Sequence, residues 1–494
     1  MTIGQRPPSG RCGESRARVT AVTRPRDQLR HSAVCVGAPV RKAVRTAEWV
    51  MPIATTETVE HHPPHFARRS SLLGSENAFK IAPNIREVEA RGLRVIRCNV
   101  GEPDFPLPSH IAEEVKRQID LGQTHYCDPQ GIESLRAAIA RSVGEARGIR
   151  ISAEQVVVFA GAKPPIGFAQ QAYCDPGDEV IYPSPGFPIY ESFTRYVGAV
   201  PVPLHLNEAR GFTFSAEDLE PLLSDRTRLV YLNFPSNPAG GVATRAQLEA
   251  IADVILRKAP PDVRVYSDEV YEHILYDGAR HESIASIPGM QERTIIVSGV
   301  SKSYAWTGGR VGWAILPSLE EAAFFRNLNI NYFSCGTPYN QLGAQKAIES
   351  PESERAIRTM VRAFAARRDR LVPLLNAIDG VSCASPRGAF YLFPNIDGLC
   401  RRIGALEAYA SLPPEIHDRT SPSTLFQLFL LMEYGVATLD RRSFGRIGSD
   451  GQHFLRLSIA TAMADLEEAA VRIARAANDR GGFLSFIQDG RHLY

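Results

Sequence analysis

Residues 229–266 read LVYLNFPSNPAGGVATRAQLEAIADVILRKAPPDVRVY, and their reading decides the fold. Leu229 to Asn233 is a short apolar run ended by a turn rich in Pro, Asn and Gly. Arg245–Lys258 then places Leu248, Ile251, Ala252 and Ile255 on one side of a helix. Thr244 and Gln247 form a capping box at its start. Val263 to Tyr266 is a second continuous apolar run. Strand, helix and strand in succession predict a parallel pair with a crossover helix. Strands without polar alternation predict a sheet covered on both faces.

Similar runs stand at Val156–Phe159, Val180–Tyr182, Thr294–Val297 and Val311–Leu316. Ile111, Val115 and Ile119 share a helix face behind Ser109, a candidate N-cap. The character changes after about residue 350. A long helix from Ser353 to about Ala377 leads into short strands near Ala389–Phe393 and Phe454–Ile459. Gly398–Ser423 reads as an irregular, Pro-containing stretch before an apolar helix, Thr424–Tyr434. The expected fold class is α/β.

The charge is divided unevenly. Residues 1–50 hold ten basic and three acidic residues, a net +7, while the remaining 444 hold 46 and 51, a net −5. A mildly acidic body argues against nucleic-acid binding. The leader, with its scattered Arg and Pro, reads as disordered. It is an organelle transit peptide, a basic arm or the product of an upstream start codon, and the last, with Met51 as the start, is preferred. His61-His62-Pro63-Pro64-His65 reads as a loop with exposed imidazoles, because no carboxylate or Cys completes a metal site. No apolar stretch approaches the roughly 18 residues of a membrane span. Eight scattered Cys suggest a reduced, cytoplasmic setting.

In an open α/β sheet, ligands sit beyond the carboxyl ends of the strands. After Val156–Phe159 comes Ala160-Gly161-Ala162-Lys163, then Pro164-Pro165 opening a helix. Small residues and exposed helix-start N–H groups suit a phosphate, although such a turn is often only a turn. Asn237 follows the run ending at Asn233, and Asp268 and Tyr271 follow Val263–Tyr266. Ser301, Lys302 and Arg310 follow Thr294–Val297. Singly, each has a bland reading: a helix cap, a turn residue, a solvated charge. Together they put an amine, a carboxylate, an amide, a phenol and a guanidinium on one sheet edge. That is the inventory pyridoxal phosphate (PLP) requires.

With those motifs, the chain from about Ala67 to about Gly481 resembles a class I aminotransferase of fold type I, similar to the aspartate/aromatic branch. The resemblance implies a three-layer α/β/α large domain with a mostly parallel seven-stranded sheet, plus a smaller α+β domain. The boundaries would be a leader over 1–65, a segment over 66–110 joining the small domain, a large PLP-binding domain over 111–352 and a small domain over 353–494. It implies Lys302 as the Schiff-base lysine and proton carrier, and Asp268 as partner of the pyridinium nitrogen. Asn237 and Tyr271 would bind the ring oxygen. Ser301 and Arg310 would bind the phosphate, with the backbone of Ala162 and Lys163, and Phe187 would stack on the ring. Tyr126 would reach a neighbouring subunit's phosphate, implying a homodimer. Gly101 would lie near the substrate carboxylate and Arg456 would grip it, a task suited to a planar fork.

Lys163 is read both as a contact for a distal substrate carboxylate, as in related bacterial aspartate enzymes, and as a helix-entry charge. Arg441-Arg442 stands where the resemblance places an active-site entrance loop, and the reading preferred for it is a solvated loop. The chain departs from the family pattern at Pro164-Pro165, Ala239 and the long stretch 398–423. It also departs at Trp306 and Gly309, where bulk is moved by three positions.

The expected activity is ping-pong transfer of an amino group from an L-amino acid, with aspartate or glutamate favoured, to a 2-oxo acid. A β-elimination lyase, a decarboxylase or an oxygen-dependent oxidase shares the first half of this chemistry. A remoter alternative is an aminotransferase-like transcription regulator. No metal, nucleic acid or membrane partner is expected.

Overall fold

Strand β1 (Ile96–Arg97) comes first, followed by β2 (Val156–Phe159), β3 (Glu179–Ser184), β4 (Val200–His205) and β5 (Thr227–Asn233). Then come β6 (Arg264–Asp268), β7 (Thr294–Gly299) and β8 (Gly312–Ile315). The last are β9 (Tyr391–Leu392), β10 (Val436–Ala437), β11 (Leu439–Asp440) and β12 (Leu455–Ser458). This computed structural model describes residues 64–490. The leader, Met51 and most of the histidine tract lie outside the described residues.

Seven strands form one sheet in the order β2-β8-β7-β6-β5-β3-β4. All neighbours are parallel except β8, which is antiparallel to β2 and β7. The fold class is the expected one. Alternate residues explain burial on both faces. Val230, Leu232, Val263 and Val265 join Leu248, Ile251 and Ile255 of the helix Arg245–Lys258 in one core cluster. Leu229, Tyr231 and Tyr266 join Phe168 and Ile166 in the opposite one. Thr244 and Gln247 make the capping box that the sequence predicts. Each fully buried Ile or Leu stabilises by about 1.5–3 kcal/mol relative to exposure.

Two small sheets accompany the large one. β1 pairs in parallel with β10, Ile96 opposite Val436, and β11-β12-β9 form an antiparallel group. The N-terminal segment is thereby tied to the C-terminal third. No helix among the described residues is long and apolar enough to cross a membrane.

Several local readings need correction. β4 was invisible as an apolar run, because Pro201 and Pro203 interrupt it. It is an edge strand, where the missing N–H groups cost no ladder bond. Ser109 is the first residue of the helix Ser109–Asp120, behind Pro108, and makes no side-chain cap. Ile111 is fully buried but Ile119 is 45% exposed. At about 100° per residue, eight positions drift off the face, and Gln118 is the buried neighbour instead. The stretch 398–423 is largely helical. Asp397–Ile403, Ala405–Ala410 and Pro414–His417 precede the helix Pro422–Tyr434. Gly404, at φ +89°, separates the first two as a left-handed cap, and Pro414 opens the third, where its missing N–H is harmless.

Candidate active site

The registers of the central strands decide what converges. Asn233 lies opposite Asp268, and Asp268 opposite Val297, at the carboxyl edge of β5, β6 and β7. β7 runs on through Gly299 into the short helix Val300–Ser303, which carries Ser301 and Lys302. The turn after β5 is anchored by Asn233, whose Oδ1 accepts from Asn237 N at 2.9 Å and whose Nδ2 donates to the Asp268 carbonyl at 3.1 Å. One side chain thus ties two strand ends together and fixes Asn237.

Asp268 is buried. Tyr190 Oη donates to its Oδ2 at 2.6 Å, and the Val270 N–H approaches Oδ1 at 3.4 Å. Burial pushes its carboxyl up to about 6, against the pull of those hydrogen bonds and of Lys302. Behind it the Tyr190 ring stacks on Tyr231 at 4.6 Å between centroids, and Tyr231 lies 4.8 Å from Tyr266. This aromatic wall excludes water from the carboxylate.

Lys302 Nζ donates to the Gly101 carbonyl at 2.6 Å. Burial lowers the ammonium to about 8; Arg456 and Arg310 push the same way, and Glu76 and Glu102 oppose. Gly101 is required by space, since a Cβ there would lie 2.1 Å from Tyr391 Oη. That hydroxyl shares a hydrogen bond of 2.7 Å with Tyr271 Oη.

Arg456 is buried on β12. It donates to the Asn99 carbonyl and, at 3.3 Å, to Asn237 Oδ1. Its guanidinium lies 4.6 Å from the Tyr391 ring centroid and 5.0 Å from that of Phe444. Its Nε has no hydrogen-bond partner. Burial lowers its pKa.

The turn after β2 meets Arg310. Gly161, at φ +96°, leaves room for that guanidinium, whose Nη2 would be 2.4 Å from a Cβ there. Arg310 Nη2 donates to the Ala160 carbonyl at 3.1 Å, and the residue remains exposed. Pro164 and Pro165 sit in the first turn of the helix Pro164–Tyr173, where they displace no hydrogen bond. The shift of bulk from position 309 to 306 is real. A Cβ on Gly309 would lie 2.3 Å from the Trp306 indole.

Lys163 and Phe187 stand at the rim. Lys163 Nζ is 5.6 Å above the Phe187 ring and forms an ion pair with Glu76. Tyr126 is apart from this group: it is 89% exposed and lines a cleft with Gln118, His125 and Leu342. Arg441 is not solvated, contrary to the sequence reading. It is fully buried, held by the Gly445 carbonyl at 3.0 Å, Ser184 Oγ at 3.0 Å and Gln452 at 2.9 Å. Arg442 donates to the Asp418 carbonyl at 2.7 Å.

Sequence reasoning missed Tyr190, Asn233, Tyr391 and Glu76. A buried Asp at a strand end signals that some donor must meet it, but not which residue. Behind β6, Glu269, Glu272 and His281 gather within 4.8 Å of one another. Arg147 already sits between both carboxylates, 2.6 Å from Glu272 Oε2, where a cation would go.

Comparison with known proteins agrees with this geometry. The family described as Aminotransferase class I and II matches residues 94–473. An aspartate aminotransferase of Rhizobium meliloti is 34% identical over 413 residues, covering 83% of this chain and 96% of its own length. An aspartate/prephenate aminotransferase of Cereibacter sphaeroides is 36% identical, covering 78% of this chain and 92% of its own. The crystal structure of an aspartate aminotransferase from Rhizobium meliloti superposes with a TM-score of 0.75 at 33% identity, covering 84% of this chain and 99% of that one. The chain belongs to the class I and II aminotransferases, and with that family it is a PLP-dependent transaminase.

Proposed function

We propose that the enzyme takes its amino group from aspartate or glutamate, passes it to a 2-oxo acid in a ping-pong cycle, and uses Lys302 to carry the Cα proton. Two cations support this reading. Arg456 is buried with an unpartnered Nε at the centre, and Lys163 stands at the rim. An α-carboxylate suits the first and a distal carboxylate the second. The printed names of the relatives, aspartate and aspartate/prephenate aminotransferases, point the same way.

The residues fit PLP. Asp268 is a buried carboxylate whose close side-chain donor is the neutral Tyr190 hydroxyl, and a protonated ring nitrogen would supply the missing charge. Asn237 and Tyr271 would hold the ring oxygen, and Phe187 would cover the ring. Ser301, Arg310 and the backbone of Ala162 and Lys163 would hold the phosphate. The bound cofactor supplies an electron sink that makes the substrate Cα–H acidic. Lys302, lowered to about 8, titrates close enough to neutrality to accept that proton and return it. The Gly101 carbonyl orients its amine. Arg456 orients the substrate from its carboxylate, and the Tyr190–Tyr231 wall keeps water from Asp268.

The same reading makes the enzyme a cytoplasmic homodimer, with exposed Tyr126 reaching the phosphate held by the partner subunit. Residues 111–352 would form the large domain, and 66–110 with 353–494 the small one. The test is a single-turnover screen that follows the absorbance of the bound cofactor with each amino acid. Conversion by aspartate and glutamate is expected. Conversion by aromatic but not acidic donors rejects the donor assignment.

A further inference from the structure

Glu76 lies just before the short helix Asn77–Lys80, in extended backbone at φ −76° and ψ 122°. Its surroundings are mostly open. Leu72, Leu73 and Phe79 are 48%, 47% and 65% exposed, yet the Glu76 side chain is only 19% exposed and is turned onto Lys163. Three hydrogen bonds hold the segment in place. Gly74 N donates to Ser192 Oγ at 2.8 Å, Asn77 Nδ2 to Ser443 Oγ at 2.9 Å, and Asn99 Nδ2 to the Ala78 carbonyl at 3.0 Å. With Lys163, Ile189 and Phe193, Glu76 lines the cleft at the rim of the site. Its charge also bears on Lys302, Arg456 and Tyr391.

We propose that Glu76 is a built-in competitor for Lys163. Its carboxylate holds, in the substrate-free enzyme, the same ammonium that a distal substrate carboxylate would take, so it sets how strongly the enzyme prefers dicarboxylates. The proposal rests on the acidic-donor reading of Lys163. The physical argument is one of exchange. A dicarboxylate entering the site trades one carboxylate on Lys163 for another, and two carboxylates beside one ammonium repel. The net gain is small, because the ion pair is half exposed and already satisfied. A monocarboxylate leaves the Glu76–Lys163 pair intact. Neutralising Glu76 frees the ammonium and removes the repulsion, and only dicarboxylates gain.

The test is calorimetric titration of the PLP-loaded enzyme with succinate and with butyrate, which differ by one carboxylate. In Glu76→Gln, the Kd for succinate should fall by about fivefold, consistent with a partly exposed pair, and the Kd for butyrate should not move. The gap should shrink at high salt. Lys163→Met should weaken succinate binding, and more so in the Glu76→Gln background. A Glu76→Gln enzyme that binds succinate no more tightly than the parent, while Lys163→Met still weakens it, overturns the competition alone. Succinate binding indifferent to Lys163→Met in both backgrounds overturns the acidic-donor reading, and the competition with it. A general packing defect would shift succinate and butyrate together, which also overturns the proposal.

Discussion

Asp268 and Glu269 are consecutive, buried, and in opposite surroundings. Asp268 ends β6 on the side of Lys302 and receives one strong hydrogen bond, from Tyr190. Glu269 turns the other way. It accepts from Ser267 at 2.7 Å, from Ser283 at 2.6 Å and from Arg147 Nε at 2.9 Å, and it meets His281 at 2.9 Å. Burial pushes both carboxyls up. For Asp268 burial prevails. For Glu269 the charges of Arg147 and His281 and the Ser283 hydroxyl overcome it and hold the carboxyl well below the usual range. Adjacent positions on one strand end thus yield a complete internal salt bridge and a buried carboxyl whose one close donor is a neutral hydroxyl. Structural and functional charges are distinguished by their partners, not by their burial.

Substitutions on each side should separate the two roles. The largest expected effect is on the ligand side: Lys302→Ala should lower kcat by at least about 10⁴-fold and abolish the visible band of the bound cofactor. A purified variant with full turnover would end the assignment. Asp268→Asn should lower kcat by about 10²–10³-fold, read in the same assay, without loss of folded protein. On the structural side, Arg147→Met leaves Glu269 and Glu272 without their cation. It should destabilise by about 3–5 kcal/mol in urea unfolding, while the cofactor spectrum is kept. A cofactor defect in that variant without a stability loss would break the contrast. Tyr190→Phe falls between, at about 1.5–3 kcal/mol, with a raised pKa for Asp268 that moves the pH profile of cofactor absorbance alkaline.

The pH dependence sharpens the same contrast. Asp268 has a folded pKa of about 6, above the ordinary 3.8. In cofactor-free protein its contribution is fully present below about pH 4 and is lost as pH rises through 6. That loss is about 3 kcal/mol. Glu269 is depressed, so its contribution is present above the ordinary carboxylate range and is lost as pH falls below it. Chemical unfolding of cofactor-free wild type and Asp268→Asn should therefore converge at pH 4 and diverge by pH 7, the variant being more stable. Curves that stay parallel would refute the buried, unpaired state of Asp268.

These outcomes also mark how much was legible. Asn237, Asp268 and Lys302 follow uninterrupted apolar runs, and the rule that ligands sit at the carboxyl ends of such strands brings them together from spacing alone. The exchange of bulk between Trp306 and Gly309 was likewise visible, because both residues lie in one turn. Tyr190 was not. It touches Asp268 across 78 positions from a helix whose pattern asks only for an apolar face. Tyr391 reads as one more aromatic in a strand, and its hydroxyl gains its place from Tyr271, its hydrogen-bond partner, and from Gly101, which passes beneath it. Arg441 looked solvated because the partners that bury it, two hydroxyl- or amide-bearing side chains and a carbonyl, carry no charge to betray the pairing.

The pairing of β1 with β10 has a consequence for the order in which the molecule is assembled. Cys98 N donates to the Ala437 carbonyl at 2.9 Å, and Ser458 N donates to the Cys98 carbonyl at 2.8 Å. Every strand of the large sheet lies between those two ends of the chain. As synthesis proceeds from the N-terminus, the large sheet is therefore complete while β1 still waits for a partner more than three hundred residues downstream. Gly101, four residues past β1, is among the last parts to be seated beside Lys302. A nascent chain halted before residue 436 should resist proteolysis across the large sheet, be cut near residue 96, and bind no amino acid.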